Sequence, residues 1–184
     1  MSYPTERPPL EVHTLGPEGT NCEAAAHHWL ASRTDRDVGV VLHATLEEAV
    51  TEVLAEPDHR LLLACVVYPA LHEIVFRNLA EMVLQDCFVM PTHNMVLAGR
   101  SGRPVRTVAS HPAPVNLLDG SPARVELVTS NAQAAIICAA GTVDACITTL
   151  PAARAHGLDV LTDFGPVPMG FTVHAPQPAL AVAR

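Results

Sequence analysis

Short apolar runs alternate with longer mixed stretches along the first third of the chain. Val12–Leu15 and Val38–His43 are short runs of strand length, and Leu61–Val67 is a near-continuous apolar one. Between them, Thr20–Arg33 and Leu46–Ala55 carry helical spacing and start signals. Thr20 or Asn21 can cap the first helix, with Glu23 three residues after Thr20 and an alanine run, Ala24–Ala26, behind it. Thr45 caps the second, with Glu48 at the matching position. This β-α-β-α-β order predicts a right-handed parallel α/β unit, with Leu61–Val67 as a central strand.

Beyond a turn at Tyr68-Pro69, with His72 and Asn78 just past it, the pattern predicts strands at Val83–Met90 and Asn94–Ala98, separated by Pro91-Thr92-His93. Gly99–Pro104 reads as a crossover or hinge. A second α/β set follows: strand Val105–Ala109, turn Ser110-His111-Pro112, short helix Ala113–Leu118 and strand Val125–Val128. A helix at Ala132–Ala140 comes next, capped by Ser130 or Asn131 and closed by Gly141. Asp144–Thr148, Leu150–Ala155 and Leu158–Leu161 read as strand, helix and strand, and Met169–His174 as a strand returning to the first set. The division expected is residues 12–98 with 164–175 as one lobe and 99–163 as the other, between a Pro-rich tail (1–11) and a C-terminal tail (176–184).

Composition narrows the function. The 184 residues are 49% hydrophobic with a formal charge of -8, so they can build a core and present no basic face to nucleic acid. There is no lysine, which excludes Schiff-base and lysine-base mechanisms; a charged anion contact must come from Arg or protonated His. No export signal and no apolar run long enough for a bilayer is visible, so the expected setting is cytoplasmic, with no membrane partner. The five cysteines form no C-x-x-C pair; four read as small core residues, while Cys22 falls in a helix first turn, where a thiol is acidified. The ten histidines show no metal-ligand spacing, and neither a metal nor another cofactor is expected.

The candidate chemistry lies at helix starts and in turns. Gly16-Pro17-Glu18-Gly19 leads into the N-terminus at Thr20-Asn21, and Ser130-Asn131 opens a second helix in the other half. Free N–H groups at two such ends suit a ligand with two carboxylates. His93 and His111 sit in turns, where an imidazole can donate a proton near neutral pH; the pattern does not choose between them. Arg106 is a candidate steering charge.

Three motifs occur in order: Gly16-Pro17-Glu18-Gly19-Thr20, Ser110-His111-Pro112, and Thr129-Ser130-Asn131-Ala132-Gln133-Ala134-Ala135. They resemble the G-P-E-G-T, S-H-P and T-S-T-A-x-A-A signatures of prephenate dehydratases, over nearly the whole span from Val12 to His174. Two departures stand out. The family's Thr-Arg-Phe triplet is replaced by Met169-Gly170-Phe171, and its E-N-S turn by Pro69-Ala70-Leu71. With Thr14–Glu23 and Pro91–Met95, these departures resemble the prephenate decarboxylases of bacilysin-type antibiotic pathways.

The resemblance implies a two-lobed, type II periplasmic-binding-protein-like catalytic domain with its site in the cleft and no ACT domain. It also implies prephenate as substrate, a homodimer, and loss of carbon dioxide with retention of the ring hydroxyl. The residues it marks for substrate are Gly19, Thr20, Asn21, Cys22, Asn94, Ser110, Ser130, Asn131, Ala132, Gln133, Arg106, Met169 and Phe171, with His93, His111 and Thr148 in the chemistry. The competing expectations are an ordinary dehydratase making phenylpyruvate and a non-catalytic carboxylate-binding module.

Overall fold

The computed structural model describes residues 9–31, 38–121 and 123–177. Arg33 and the tail segments 1–8 and 178–184 lie outside them. The chain divides into two compact units, and each is built on its own five-stranded sheet.

The first unit takes the residues up to Gly16, Cys22–Val89 and those from Gly170 onward. Its strands are β1 (Leu10–Leu15), β2 (Val38–His43), β3 (Arg60–Cys65), β4 (Met82–Pro91, to Val89 within this unit) and β10 (Pro168–Pro176, from Gly170), in the order β2-β1-β3-β10-β4. β1 runs parallel to β2 and β3, as the alternation predicts, and β10 returns antiparallel to β3 with Phe171 opposite Cys65. Helix α2 (Leu46–Ala55) buries Leu46, Ala49, Val50 and Val53 against Leu62 and Ala64 of β3. Its start is a capping box: Thr45 accepts the Glu48 N–H at 3.2 Å, and the Glu48 carboxylate accepts the Ala44 N–H at 3.2 Å.

Helix α1 (Asn21–Ala31) has no surprises, but α3 (Leu71–Arg77) was not foreseen; the pattern gave only a turn there. Only Ile74 of α3 is buried, so its sequence carries almost no helical apolar stripe. β3 stops two residues short of the apolar run: Val66 and Val67 are 48% and 40% exposed.

The second unit takes Pro17–Asn21 and Met90–Met169. Its strands β5 (Met95–Gly99), β6 (Thr107–Ser110), β7 (Arg124–Leu127), β8 (Ala145–Thr149) and β9 (Asp159–Gly165) are ordered β7-β6-β8-β5-β9. β5 pairs antiparallel with both β8 and β9, so it belongs to this sheet although its position in the sequence suggested the first. Its Val96 and Ala98 are fully buried in the core formed with α4 (Asn131–Ala139) and α5 (Leu150–Ala155). Gly141, at φ +82°, ends α4 with the two bonds of a Schellman turn: Gly141 N–H to Cys138 O and Thr142 N–H to Ile137 O. No helix among the described residues is long and apolar enough to cross a membrane.

Candidate functional site

Strand directions gather most of the predicted residues at one edge of the second sheet. β6, β7 and β8 are parallel, so Ser110, Leu127 and Thr149 end on the same side. β5 is antiparallel, so its beginning meets the end of β8: Met95 lies opposite Thr149 and, on its other flank, opposite Gly165. His93, Asn94, Ser110, His111, Ser130–Gln133 and Thr148 therefore share one rim, the carboxyl edge where α/β sheets collect ligands.

Gly19, Thr20 and Asn21 belong to the same unit. The Thr149 hydroxyl donates to Gly19 O at 3.4 Å, and the His93 N–H donates to Asn21 Oδ1 at 3.0 Å. The turn before His93 is clamped as well. Thr92 N–H donates to Val167 O at 2.9 Å, and Val167 N–H donates to the Thr92 hydroxyl at 3.0 Å.

The second helix start is built as the sequence suggests. Ser130 accepts the Gln133 N–H at 3.0 Å and caps α4. The Asn131 and Ala132 N–H groups stand at the positive end with no intrahelical acceptor. Thr148 departs from its expected role. Its hydroxyl, fully buried, donates to Asn131 O at 2.6 Å, so its hydrogen fixes α4 to β8 and does not face a ligand. Ser110 is spent similarly, donating to His111 O at 2.8 Å.

His111 accepts the Ala113 N–H on Nδ1 at 3.2 Å, which leaves the neutral ring's proton on Nε2. Burial pushes its pKa below the ordinary histidine value. Asn94 donates both contacts of its amide to the Asp163 carboxylate, at 3.0 and 3.2 Å, and holds that carboxyl below its usual range.

Three expectations are corrected. Arg106 precedes β6 and so lies at the opposite end of the strand from Ser110; there its N–H and that of Thr107 bind Asp144 at 2.9 Å each. That end lies across the sheet from this rim, so Arg106 is no contact residue of it. Cys22 is buried in the first unit, where the neighbouring Cys65 thiol, together with burial, pushes its own thiol well up; the helix end does not acidify it. Phe171 is 1% exposed and stacked on Phe88 with centroids 5.6 Å apart, a core position. Among the other cysteines Cys138 and Cys146 are buried, but Cys87 is exposed on β4. Met169 is half-buried. Beside it, Gly170 offers no side chain, and a Cβ there would lie 3.1 Å from Val66 Cγ1, a tight contact.

The sequence reading missed one feature of the rim. Asn131 Oδ1 is closed off from solvent and meets no donor; among the described residues it is the one buried side-chain polar atom in that state. Its motif position marked the residue, but only its backbone.

No family model matches the chain. Over 179 residues it is 28% identical to a protein of Bacillus subtilis (strain 168) named prephenate decarboxylase, covering 89% of this chain and 85% of that one. A protein of Bacillus amyloliquefaciens with the same name is 26% identical over the same shares. Among solved structures, one described as a periplasmic transporter superposes with a TM-score of 0.61 at 13% identity, over 97% of this chain and 79% of its own. GqqA, described as a novel type of quorum quenching acylase, gives 0.60 at 14% identity over 92% of this chain; the chain spans 65% of that structure. The structural likenesses establish the fold, two α/β units of the periplasmic-binding-protein kind.

Proposed function

We propose that this chain is a non-aromatising prephenate decarboxylase, a carboxy-lyase acting in a bacilysin-like pathway. The similarity to proteins of that name supports the reaction class. The observation that carries the finer reading is the pair Gly170 and Val66. Where dehydratases are expected to present Thr-Arg, this chain has Met169-Gly170, and a Cβ at residue 170 would press on Val66 at 3.1 Å.

Prephenate carries two carboxylates, a ketone and one ring hydroxyl. When the bond from the quaternary ring carbon to its carboxylate breaks, carbon dioxide leaves and the electron pair enters the ring. In a dehydratase the pair expels the 4-hydroxyl, which takes a proton and departs as water, leaving an aromatic ring. Here no guanidinium or threonine hydroxyl stands at residues 169–170 to help it leave. One preorganised donor is worth about two decades of rate. The pair then takes a proton at a ring carbon, and the product keeps its hydroxyl.

The N–H groups of Asn131 and Ala132, with those at the Thr20–Asn21 helix start, hold the carboxylates. The Ser130 hydroxyl, which accepts from Gln133, keeps its own hydrogen to donate. His111 or His93 delivers the proton.

Incubating purified protein with prephenate tests the reading. Carbon dioxide release with a product of retained hydroxyl by mass, and no phenylpyruvate absorbance, is the expected result. Phenylpyruvate as the sole product would make it a dehydratase, and tight binding without turnover a sensor.

A further inference from the structure

β1 and β2 place two histidines against one charged cavity of the first unit. The cavity holds about 550 Å³ and opens to solvent, a volume that suits a small molecule. Glu11, His13, His43, Glu48, Glu52 and Arg60 supply its charged and titratable walls, from β1, β2, α2 and β3. The hydrogens on those walls can be assigned. The Glu11 carboxylate only accepts, so His13 Nε2, 3.4 Å from it, carries the hydrogen. The neutral ring then accepts on Nδ1, and its partner at 2.9 Å, His43 Nε2, is the donor. His43 is thereby left with a bare lone pair on Nδ1. No donor among the described residues answers that lone pair, and it is not closed off from solvent.

The other groups are spent as donors or only accept. Arg60 gives Nε to Glu11 at 2.9 Å and its terminal nitrogens to Glu52 O at 3.0 Å and Glu56 at 3.1 Å, and reaches the Glu52 carboxylate at 3.5 Å. Glu48 takes the Ala44 N–H on one oxygen and keeps the other. Three carboxylates face one guanidinium there, which leaves two negative charges in excess. Burial lowers the His43 pKa against the pull of the Glu52 and Glu48 carboxylates, so the ring stays neutral at pH 7 within reach of both. No three metal-ligating side chains converge among the described residues, so a bare metal ion finds no ligand set. An organic cation spreads its donors over several bonds and fits acceptors that stand apart. We propose that this cavity binds a small aliphatic diammonium ion, with one ammonium donating to His43 Nδ1 and the carboxylates of Glu48 and Glu52 balancing its charge. The site belongs to the first unit alone and needs nothing from the rim of the second.

Calorimetric titration of the full chain with 1,4-diaminobutane tests the site, at about pH 8 and about 150 mM salt, where loose surface attraction is screened. One saturable equivalent is expected, with the monoamine 1-aminobutane bound about fivefold more weakly, the upper value for one exposed ion pair. Glu52→Gln, at an exposed carboxylate, costs the diamine about the same factor. His43→Leu removes the lone pair and costs about tenfold or more, as a hydrogen bond from a charged donor is lost. Charging the histidine pair sets a like charge beside the ammonium. Wild-type affinity is therefore expected to fall as pH drops below about 6.5, and His43→Leu to flatten that fall. If His43→Leu does not fold, the wild-type pH profile and Glu52→Gln decide. Absence of saturable binding near pH 8 overturns the site, as does equal affinity for the monoamine. Diamine affinity that ignores both Glu52→Gln and pH overturns it too. One equivalent of Zn²⁺ held through His43, with no diamine bound, would overturn it in favour of a metal centre.

Discussion

Gly170 and Val66 hold each other in place. The Val66 N–H donates to Gly170 O at 3.1 Å, and a Cβ built on Gly170 would lie 3.1 Å from Val66 Cγ1 and 3.2 Å from Cγ2. Any side chain at residue 170 must therefore push into the valine. Gly170→Arg alone is expected to destabilise the fold by no more than about 1 kcal/mol, because Val66 is half exposed and has room to give. Val66→Ala should recover most of it. Urea unfolding midpoints of the single and double variants measure the coupling, and additive effects would show that the contact is slack.

The same contact makes a prediction about product. A chain carrying Met169→Thr, Gly170→Arg and Val66→Ala regains both donor groups and the room for them. If the proposed reading holds, it is expected to shift the product formed from prephenate toward phenylpyruvate. Product mass, lower by one water than the hydroxylated keto acid, reports the change.

Thr148 tests whether the rim's hydroxyls act inward. Thr148→Val removes the hydrogen bond that Asn131 O accepts in addition to its bond within α4. The expected cost is about 0.5–1.5 kcal/mol, with Thr148→Ser keeping most of the stability. If Thr148 instead served the ligand, the valine variant would keep its unfolding midpoint and lose only affinity.

His111 sets a pH dependence. Burial lowers its pKa, so its charged form disappears below the ordinary histidine value of about 6.5. If it donates the ring proton as imidazolium, kcat falls as pH rises through that lowered value. His111→Gln should abolish this limb, and an unchanged profile would pass the role to His93.

A second pair of histidines governs stability. His13 and His43 share a 2.9 Å bond between ring nitrogens, with the rings stacked 5.0 Å apart. Glu11 lies 3.4 Å from His13 and is held by Arg60 at 2.9 Å. Burial lowers both histidine pKa values, and for His13 this outweighs the opposing Glu11 bond. The unfolded chain thus binds more protons than the folded one just below pH about 6.5. Stability is expected to be full above that value and to fall as pH drops from it toward the folded pKa values. Burial pushes Glu11 up, but its bonds to His13 and Arg60 win and lower it, so its contribution is lost at still lower pH. His13→Gln should flatten the upper part of the thermal-melt profile.

What the sequence made legible were features with local causes. Thr45 with Glu48, Ser130 with Gln133 and the turn at Gly141 each follow from residues within a few positions of one another, and all three form. The misplacements have non-local causes. β5 reads like a neighbour of β4, yet its partners β8 and β9 lie far along the chain, at Ala145–Thr149 and Asp159–Gly165. Phe171 read as a substrate contact because nothing in its surroundings announces Phe88. Cys22 carried a helix-end signal that burial beside Cys65 overrides. The empty acceptor on Asn131 has no sequence signature, since it is defined by a partner that fails to appear.

β10 lies between β3 and β4, so these two strands are joined in the sheet only by one made after the second unit's strands. Until Pro168–Pro176 has left the ribosome, β3 has an open flank and β4 no neighbour to bond. The first unit's earlier strands are thus committed to waiting, and a nascent chain stalled before residue 168 should be a substrate for chaperones and proteases.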